Sequence, residues 1–397
     1  MARATALPAH VKLQTKITGG VGAMKRKVLR ERPFEFLRYR NGNKYTEDIV
    51  KNWYKSRVYV LEKLKDIAFV PKSDSHLQVV VEGDSPLMLS VVRSVALYAH
   101  YLNFEEEDFF GNIVAKNRTV ITLVSQNENI DKELAKEEYL CNLMDCCRWS
   151  KFGGEMHNPD SYLDIEVQIV REAVEDNGAE VIRMSEHELV DFIGKKDDKD
   201  VYTIDTRKAV MVGKMYELGS VIDNLPAEDI HSAQRYTSAL DAFQSLLLKE
   251  ELSPMVNEKK WEGDIRKVKN GISSIFCADC FESRALAMSR CGNNDIKNWE
   301  KYNMELSVSE HARWVTERLI MGFRPFSTSE SYQFESLFGK KRNIYSKMLK
   351  DNALDQAHLD ICSFRDLRRI NPGDMIYDSF LLLAIPRILE KIRREDK

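Results

Sequence analysis

The densest run of chemically capable side chains is Ser309-Glu310-His311-Ala312-Arg313-Trp314-Val315-Thr316-Glu317-Arg318-Leu319-Ile320-Met321-Gly322-Phe323-Arg324-Pro325. Read as a helix, it sets His311, Trp314, Arg318 and Met321 at i, i+3, i+7 and i+10, on one face. Glu310, Arg313 and Glu317 form a charged edge beside that face, and Gly322 fits the C-terminal cap. A Trp beside Arg and His residues can stack a base and meet a phosphate. The same spacing also serves a structural end, with Trp314 in the core and the Glu–Arg pairs closed within the helix.

A second site of possible chemistry is the turn Glu82-Gly83-Asp84-Ser85-Pro86-Leu87. It lies where a dinucleotide-binding fold presents backbone N–H groups to a phosphate, which makes Gly83, Asp84 and Ser85 the nucleotide-loop residues. Only one of the usual three glycines is present, and Asp84 puts negative charge where a pyrophosphate would lie. The turn therefore fits equally a Rossmann-like domain that has lost its cofactor. An enzyme built on it would draw on Asp84, Asp205 or His157.

Other signals are weaker. Cys277-Ala278-Asp279-Cys280, with Cys291 and His311 beyond, has partial zinc spacing but reads as a strand-to-helix junction, so no metal site is assigned. Cys141, Cys146 and Cys147 read as small hydrophobes on a helix. No phosphate-loop, zincin, EF-hand or nucleophile-elbow pattern occurs, so no catalytic residue is assigned.

These groups need elements to hold them. Thr46 caps a predicted helix that reaches Phe69 and stops at Pro71. Predicted strands at 77–82, 119–124, 163–170, 180–184 and 201–204 alternate with helices at 87–101, 130–149, 185–193 and 207–222. Ser185 with Glu188 makes a capping box for the third of these helices. That alternation predicts an α/β fold with a mainly parallel, Rossmann-like sheet. From 226 to 290 the chain reads helical, notably at 234–251 and 281–289. A helix at 306–321, a polar loop at about 326–356, and helices at 363–369 and 379–393 follow. The expected organisation is a basic N-terminal arm and helix (1–75), a Rossmann-like domain (76–225), a helical connector (226–300) and a mostly helical C-terminal domain (301–397).

Composition narrows the class. The 397 residues are 43% apolar and 30% charged, which excludes wholesale disorder. No apolar run reaches the ~18–20 residues of a membrane span, and the N-terminus lacks a secretory core. The seven cysteines are irregularly spaced, so reduced thiols and a cytoplasmic location are expected. Residues 1–72 carry 17 Lys and Arg against 6 Asp and Glu, and the remainder is acidic enough to bring the net charge to −3. Such an arm fits docking on its own body or a sister subunit, contact with nucleic acid or an effector protein, or an anionic membrane surface.

Several of these residues together resemble the RyR domain, the module repeated in ryanodine receptors and found in many bacterial proteins. Its pattern is a Glu-His-x-Arg-Trp helix ending in Gly-(Trp/Tyr/Phe)-Arg. A variable loop, a His-x-Asp-(Ile/Leu)-x-x-(Trp/Phe/Tyr) segment, an Asp and an Ile-Pro follow. This chain carries Glu310-His311-Ala312-Arg313-Trp314, Gly322-Phe323-Arg324, His358-Leu359-Asp360-Ile361-Cys362-Ser363-Phe364, Asp378 and Ile385-Pro386, in that order. Bacterial relatives often place the domain after a Rossmann-like domain of the TrkA-N class, which residues 76–225 resemble with a depleted glycine signature.

The resemblance implies a regulatory sensor of a nucleotide or nucleotide-derived second messenger, an NAD-derived ligand included. It implies a homo-oligomer and a setting in antiviral defence. The ligand-binding residues it implies are His311, Arg313, Trp314, Arg318, Arg324, His358 and Asp360. Arg313, Arg318 and Arg324 would meet phosphate, Trp314 would stack a base, and Asp360 would fix an Arg or accept from a ribose hydroxyl. The same residues also fit a fold-defining role. Two rival readings stand: a nucleotide-processing enzyme using the α/β domain, and an assembly or nucleic-acid-binding protein using the basic arm.

Overall fold

The computed structural model describes residues 47–107, 113–137, 140–176, 178–202, 268–292, 296–337 and 357–370, with parts of 207–215 and 375–394. The arm before Glu47, Asp205, His231 and the helix expected at 234–251 lie outside the described residues.

Five strands form one parallel sheet: β1 (His76–Glu82), β4 (Thr119–Val124), β5 (Arg148–Lys151), β6 (Ile165–Val170) and β7 (Ala179–Ser185). Their order is β5-β6-β4-β1-β7, so β1 is flanked by β4 and β7, with Val79 opposite Ile121 on one side and Ile182 on the other. Leu77 to Val81 are all buried, as expected of a parallel strand covered on both faces. The chain leaves β1 toward β4 and later returns to β1's other side. That reversal makes the carboxyl end of β1, where Gly83 to Ser85 sit, the topological switch point of the sheet. A small antiparallel pair, β2 (Glu105–Glu107) and β3 (Ile113–Lys116), lies outside this sheet.

The next helix, α2 (Pro86–Tyr98), starts where local chemistry dictates. Ser85 has extended backbone and its side chain accepts from the Met88 N–H, while Pro86 supplies a pre-set first turn. Every residue from Met88 to Tyr98 is buried, because the sheet covers one side and other helices the rest. One cover is α1 (Glu47–Leu64), which begins close to the expected cap at Thr46. Small hydroxyls bring the pair together: Ser56 Oγ lies 3.0 Å from Ser90 Oγ and 2.9 Å from Ser94 Oγ. The far end of α1 reaches α5 (Glu186–Gly194), where Tyr59 Oη and Lys63 Nζ both donate to Glu188. Ser185 caps α5 by accepting from the Glu188 N–H.

Helices α7 (Val268–Asp279), α8 (Phe281–Arg290), α9 (Ile296–Lys301) and α10 (Asn303–Ile320) follow the short α6 (Asp198–Val201) among the described elements. Arg57 on α1 grips Asp279 at the end of α7, with Nε donating at 2.9 Å. Trp53 of α1, the sheet, α2 and residues as late as Ile392 belong to one continuous hydrophobic core.

Several expectations need correction. The helix expected at 130–149 is broken into α3 (Ile130–Glu137) and α4 (Cys141–Met144), and its last residues become strand β5. Pairing of Trp149 with Val167 of β6 supplies a ladder that local helix preference cannot match. Val201, read as the start of a strand, closes helix α6 instead. Cys277 to Cys280 join two helices, α7 and α8, and not a strand and a helix. The polar stretch after 326 contains a helix, α11 (Thr328–Leu337). Among the described residues no helix is long and apolar enough to cross a membrane.

A buried polar bond ties the end of α2 to the start of β6. His100 Nδ1 lies 2.8 Å from Asp164 Oδ2, and the Asp164 carbonyl accepts from the Thr119 N–H of β4. Asp164→Ala strands a buried imidazole, so it should lower unfolding stability by about 2–3 kcal/mol. Urea titration is expected to show a lower midpoint at unchanged slope.

Candidate functional site

Helix α10 carries an unusual load of buried charge. Glu310, Arg313 and Glu317 are each 0% exposed. Arg313 spans both acids: Nη2 donates to Glu310 at 2.7 Å and Nη1 to Glu317 at 2.6 Å. Arg284 of α8 approaches Glu310 at 2.6 Å, and Ser273 Oγ of α7 donates to Glu317 at 3.0 Å. Burial pushes the Glu310 carboxyl up, but Arg313 and Arg284 outweigh it and hold it below the usual carboxylate range. The Cys277 and Cys280 thiols beside this array are pushed up by burial, which makes them inert. Among the described residues, no group of three His, Cys, Asp or Glu is arranged to hold a metal.

One face of α10 turns outward. Trp314 is half-buried there. The His311 ring lies nearly parallel to it at 6.1 Å, and the His358 ring meets it edge-on at 5.0 Å. The Arg318 guanidinium sits 5.1 Å from the Trp314 ring centre and 5.6 Å from that of Phe323. Gly322 makes this corner by closing α10 with φ of +95°, which a residue with a side chain rarely adopts. The two-residue strands β8 (Arg324–Pro325) and β9 (Ala357–His358) then pair in parallel and deliver His358 opposite Trp314. Asn142 of α4 fixes the turn by donating to the Phe323 carbonyl at 2.7 Å.

The surrounding polar groups are engaged. His311 Nε2 donates to the Cys362 carbonyl at 2.9 Å, and Nδ1 lies 3.5 Å from Asp378. Burial pushes the His311 pKa down, but Asp378 and Cys362 pull it well above the usual histidine range. His358 Nδ1 accepts the Asp360 N–H at 3.2 Å. Arg324 is bidentate on Glu330 of α11 at 2.8 and 2.9 Å. Glu330 also takes the Ser327 N–H in a capping box, and Arg324 and Ser327 draw its carboxyl down to about 2.

Of the seven residues expected in a C-terminal site, His311, Trp314, Arg318 and His358 meet at one corner. Arg324 lies half-exposed on the β8–β9 bridge, and Asp360 is buried next to His358. Arg313 is turned inward and committed to two carboxylates, so it presents no face to a ligand. Sequence reasoning missed Phe323 as a second ring wall, and also Arg284, Ser273 and Glu330. Only Phe323 had a usable signal, since it directly follows the helix-closing Gly322.

The strand-end loop is largely self-occupied. Gly83, at φ of +110°, donates its N–H to the Val124 carbonyl, Asp84 accepts from Ser125 Oγ at 2.5 Å, and Ser85 caps α2. His157 stacks on Trp149 at 4.0 Å beside β5, so β6 and β4 separate it from the strand that leads to Asp84. No family model matches the chain, and no curated protein or solved structure matches it either.

Removing a carboxylate from the buried array leaves two guanidinium groups short of charge. Glu310→Gln should therefore cost about 3–5 kcal/mol in chemical denaturation. The His311–Asp378 pair has the opposite pH signature to a carboxylate held low. Because the folded His311 pKa is raised, its contribution is complete below about pH 6.5 and fades as pH rises through the raised value. Melting temperatures of wild type should thus decline on the alkaline side more than those of Asp378→Asn; parallel profiles would refute the pairing.

Proposed function

We propose that this chain is a regulatory sensor whose C-terminal, RyR-type helical domain binds a nucleotide or nucleotide-derived second messenger, after a Rossmann-like domain that keeps the sheet without its cofactor. The observation that carries the reading is the outward corner of α10. There a half-buried Trp314 is bordered by His311 and His358, and a guanidinium, Arg318, stands over Trp314 and Phe323.

Such a corner has both halves of nucleotide recognition. Trp314 offers a half-buried ring for a base to pack against, and Arg318 offers a cation for phosphate. The strand-end loop supports the degenerate reading of the α/β domain. Its one acid faces Ser125, its serine caps α2, and two of the usual glycines are absent. An enzyme of the α/β domain loses support because Asp84 follows β1 whereas His157 bridges to β5, with β4 and β6 between those strands. Binding at α10 would reach the rest of the molecule through Asn142 and the buried array, which touch α4, α7 and α8. The defence setting and a homo-oligomeric state belong to this proposal through the family resemblance.

A thermal-shift panel tests it, with NAD, NADP, ADP-ribose and its cyclic forms, ATP, GTP and cyclic di- and trinucleotides on wild type and Trp314→Ala. A ligand at about 100 times its dissociation constant stabilises by about 2.7 kcal/mol, a rise of several degrees. The expected result is a hit on wild type that a folded Trp314→Ala loses. A hit that survives in the variant moves the site to the α/β domain, and a flat panel refutes the reading.

A further inference from the structure

We infer that the α10 corner holds a seat for one anionic group, and that the ligand presents a single phosphate-type charge to Arg318. This rests on reading that corner as a ligand site. The argument is a charge count. The buried array contains three guanidinium groups, Arg284, Arg313 and Arg318, and two carboxylates, Glu310 and Glu317. Glu310 is shared by Arg284 and Arg313, and Glu317 Oε2 is taken by Arg313 and Ser273. Among the described residues that count leaves one positive charge over, and the ion-pair distances put it on Arg318, because Arg284 and Arg313 each lie within 2.7 Å of Glu310 whereas Arg318 stands 3.9 Å from Glu317.

The geometry at Arg318 agrees with the count. The residue is 9% exposed, and its Nε is buried with no hydrogen-bond partner. The acid oxygen nearest to it, Glu317 Oε1, is 3.9 Å from that Nε, beyond hydrogen-bonding reach. A buried N–H without an acceptor is costly, and Nε of Arg318 is one. The ring faces of Trp314 and Phe323 compensate its charge but accept none of its hydrogen bonds in plane.

Neighbouring cations cannot share the task. Arg324 is bidentate on Glu330, and His311 is held between Asp378 and the Cys362 carbonyl. Among the described residues one cation of this corner is uncommitted, beside one half-buried indole, and the matching ligand is a base joined through its sugar to one phosphate. That class covers a nucleoside monophosphate and a cyclic phosphodiester. A triphosphate would bring charges that no further uncommitted cation among the described residues of this corner meets.

The test compares wild type, Arg318→Met and Arg318→Lys as full-length protein. Melting is measured alone, with excess inorganic phosphate at matched ionic strength, and with AMP, 3′,5′-cyclic AMP, ATP and a cyclic dinucleotide. Without ligand, Arg318→Met should melt a few degrees higher than wild type, because it keeps the ring contacts and removes an unpaired buried charge. Phosphate should raise the melting temperature of wild type and not of Arg318→Met, with Arg318→Lys in between. A one-phosphate ligand should bind wild type at least about tenfold more tightly than ATP, and Arg318→Met should lose at least about tenfold of that affinity. If phosphate and nucleotides all act alike on wild type and Arg318→Met, the seat is refuted, whatever becomes of Trp314. If phosphate acts through Arg318 and no nucleotide binds, the seat stands and the nucleotide reading falls. Equal affinity for ATP overturns the single-charge assignment.

Discussion

The C-terminal half of this protein depends on one guanidinium. Arg313 lies in the middle of α10 with no solvent, and it holds Glu310 one turn before it and Glu317 one turn after it. Ion pairs of this spacing on an exposed helix are worth a few tenths of a kcal/mol. Buried, the same pairs become obligatory, because each member left alone would be an unsolvated charge. Glu310 and Glu317 then recruit Arg284 from α8 and Ser273 from α7. Two helices are thereby placed at fixed rotations about α10, and those rotations decide which face of α10 looks outward.

That constraint explains why the outward face carries what it does. With Glu310, Arg313 and Glu317 consumed inside, the second half of α10 leaves Trp314 half-buried, with Arg318 at its edge. Gly322, with its left-handed backbone, then turns the chain so that Phe323 and the β8–β9 bridge close around them. The corner is thus a by-product of the buried array and the helix cap acting together.

Much of this was legible in the residues, for physical reasons that differ by element. Strands β1, β4, β6 and β7 announced themselves as short β-branched runs, and Ser85 and Ser185 as caps, because those signals are local. Strand β5 was hidden because Arg148 to Lys151 have no strong preference and owe their shape to β6. The i, i+3, i+7 spacing of His311, Trp314 and Arg318 gave the shared face of the site. It left the fate of Arg313 open between a ligand and the acids on its own helix. Arg313 is paired at both i−3 and i+4, whereas Arg318 has an acid only at its own neighbour Glu317. Whether an arginine points to a carboxylate or to a ligand was decided by Arg284 and Ser273, which lie far away in the chain.

Helix α2 has a consequence of a different kind. Its residues from Met88 to Tyr98 are buried on every side, between the sheet and helices drawn from both ends of the chain. A helix without a wet face cannot be left uncovered in water, since each bare side would expose a stripe of Val, Leu and Met. The sheet and the C-terminal helices therefore share one apolar core. A cut between them, made by a protease or chosen as a cloning boundary, would yield two sticky fragments where a modular protein would yield two working ones.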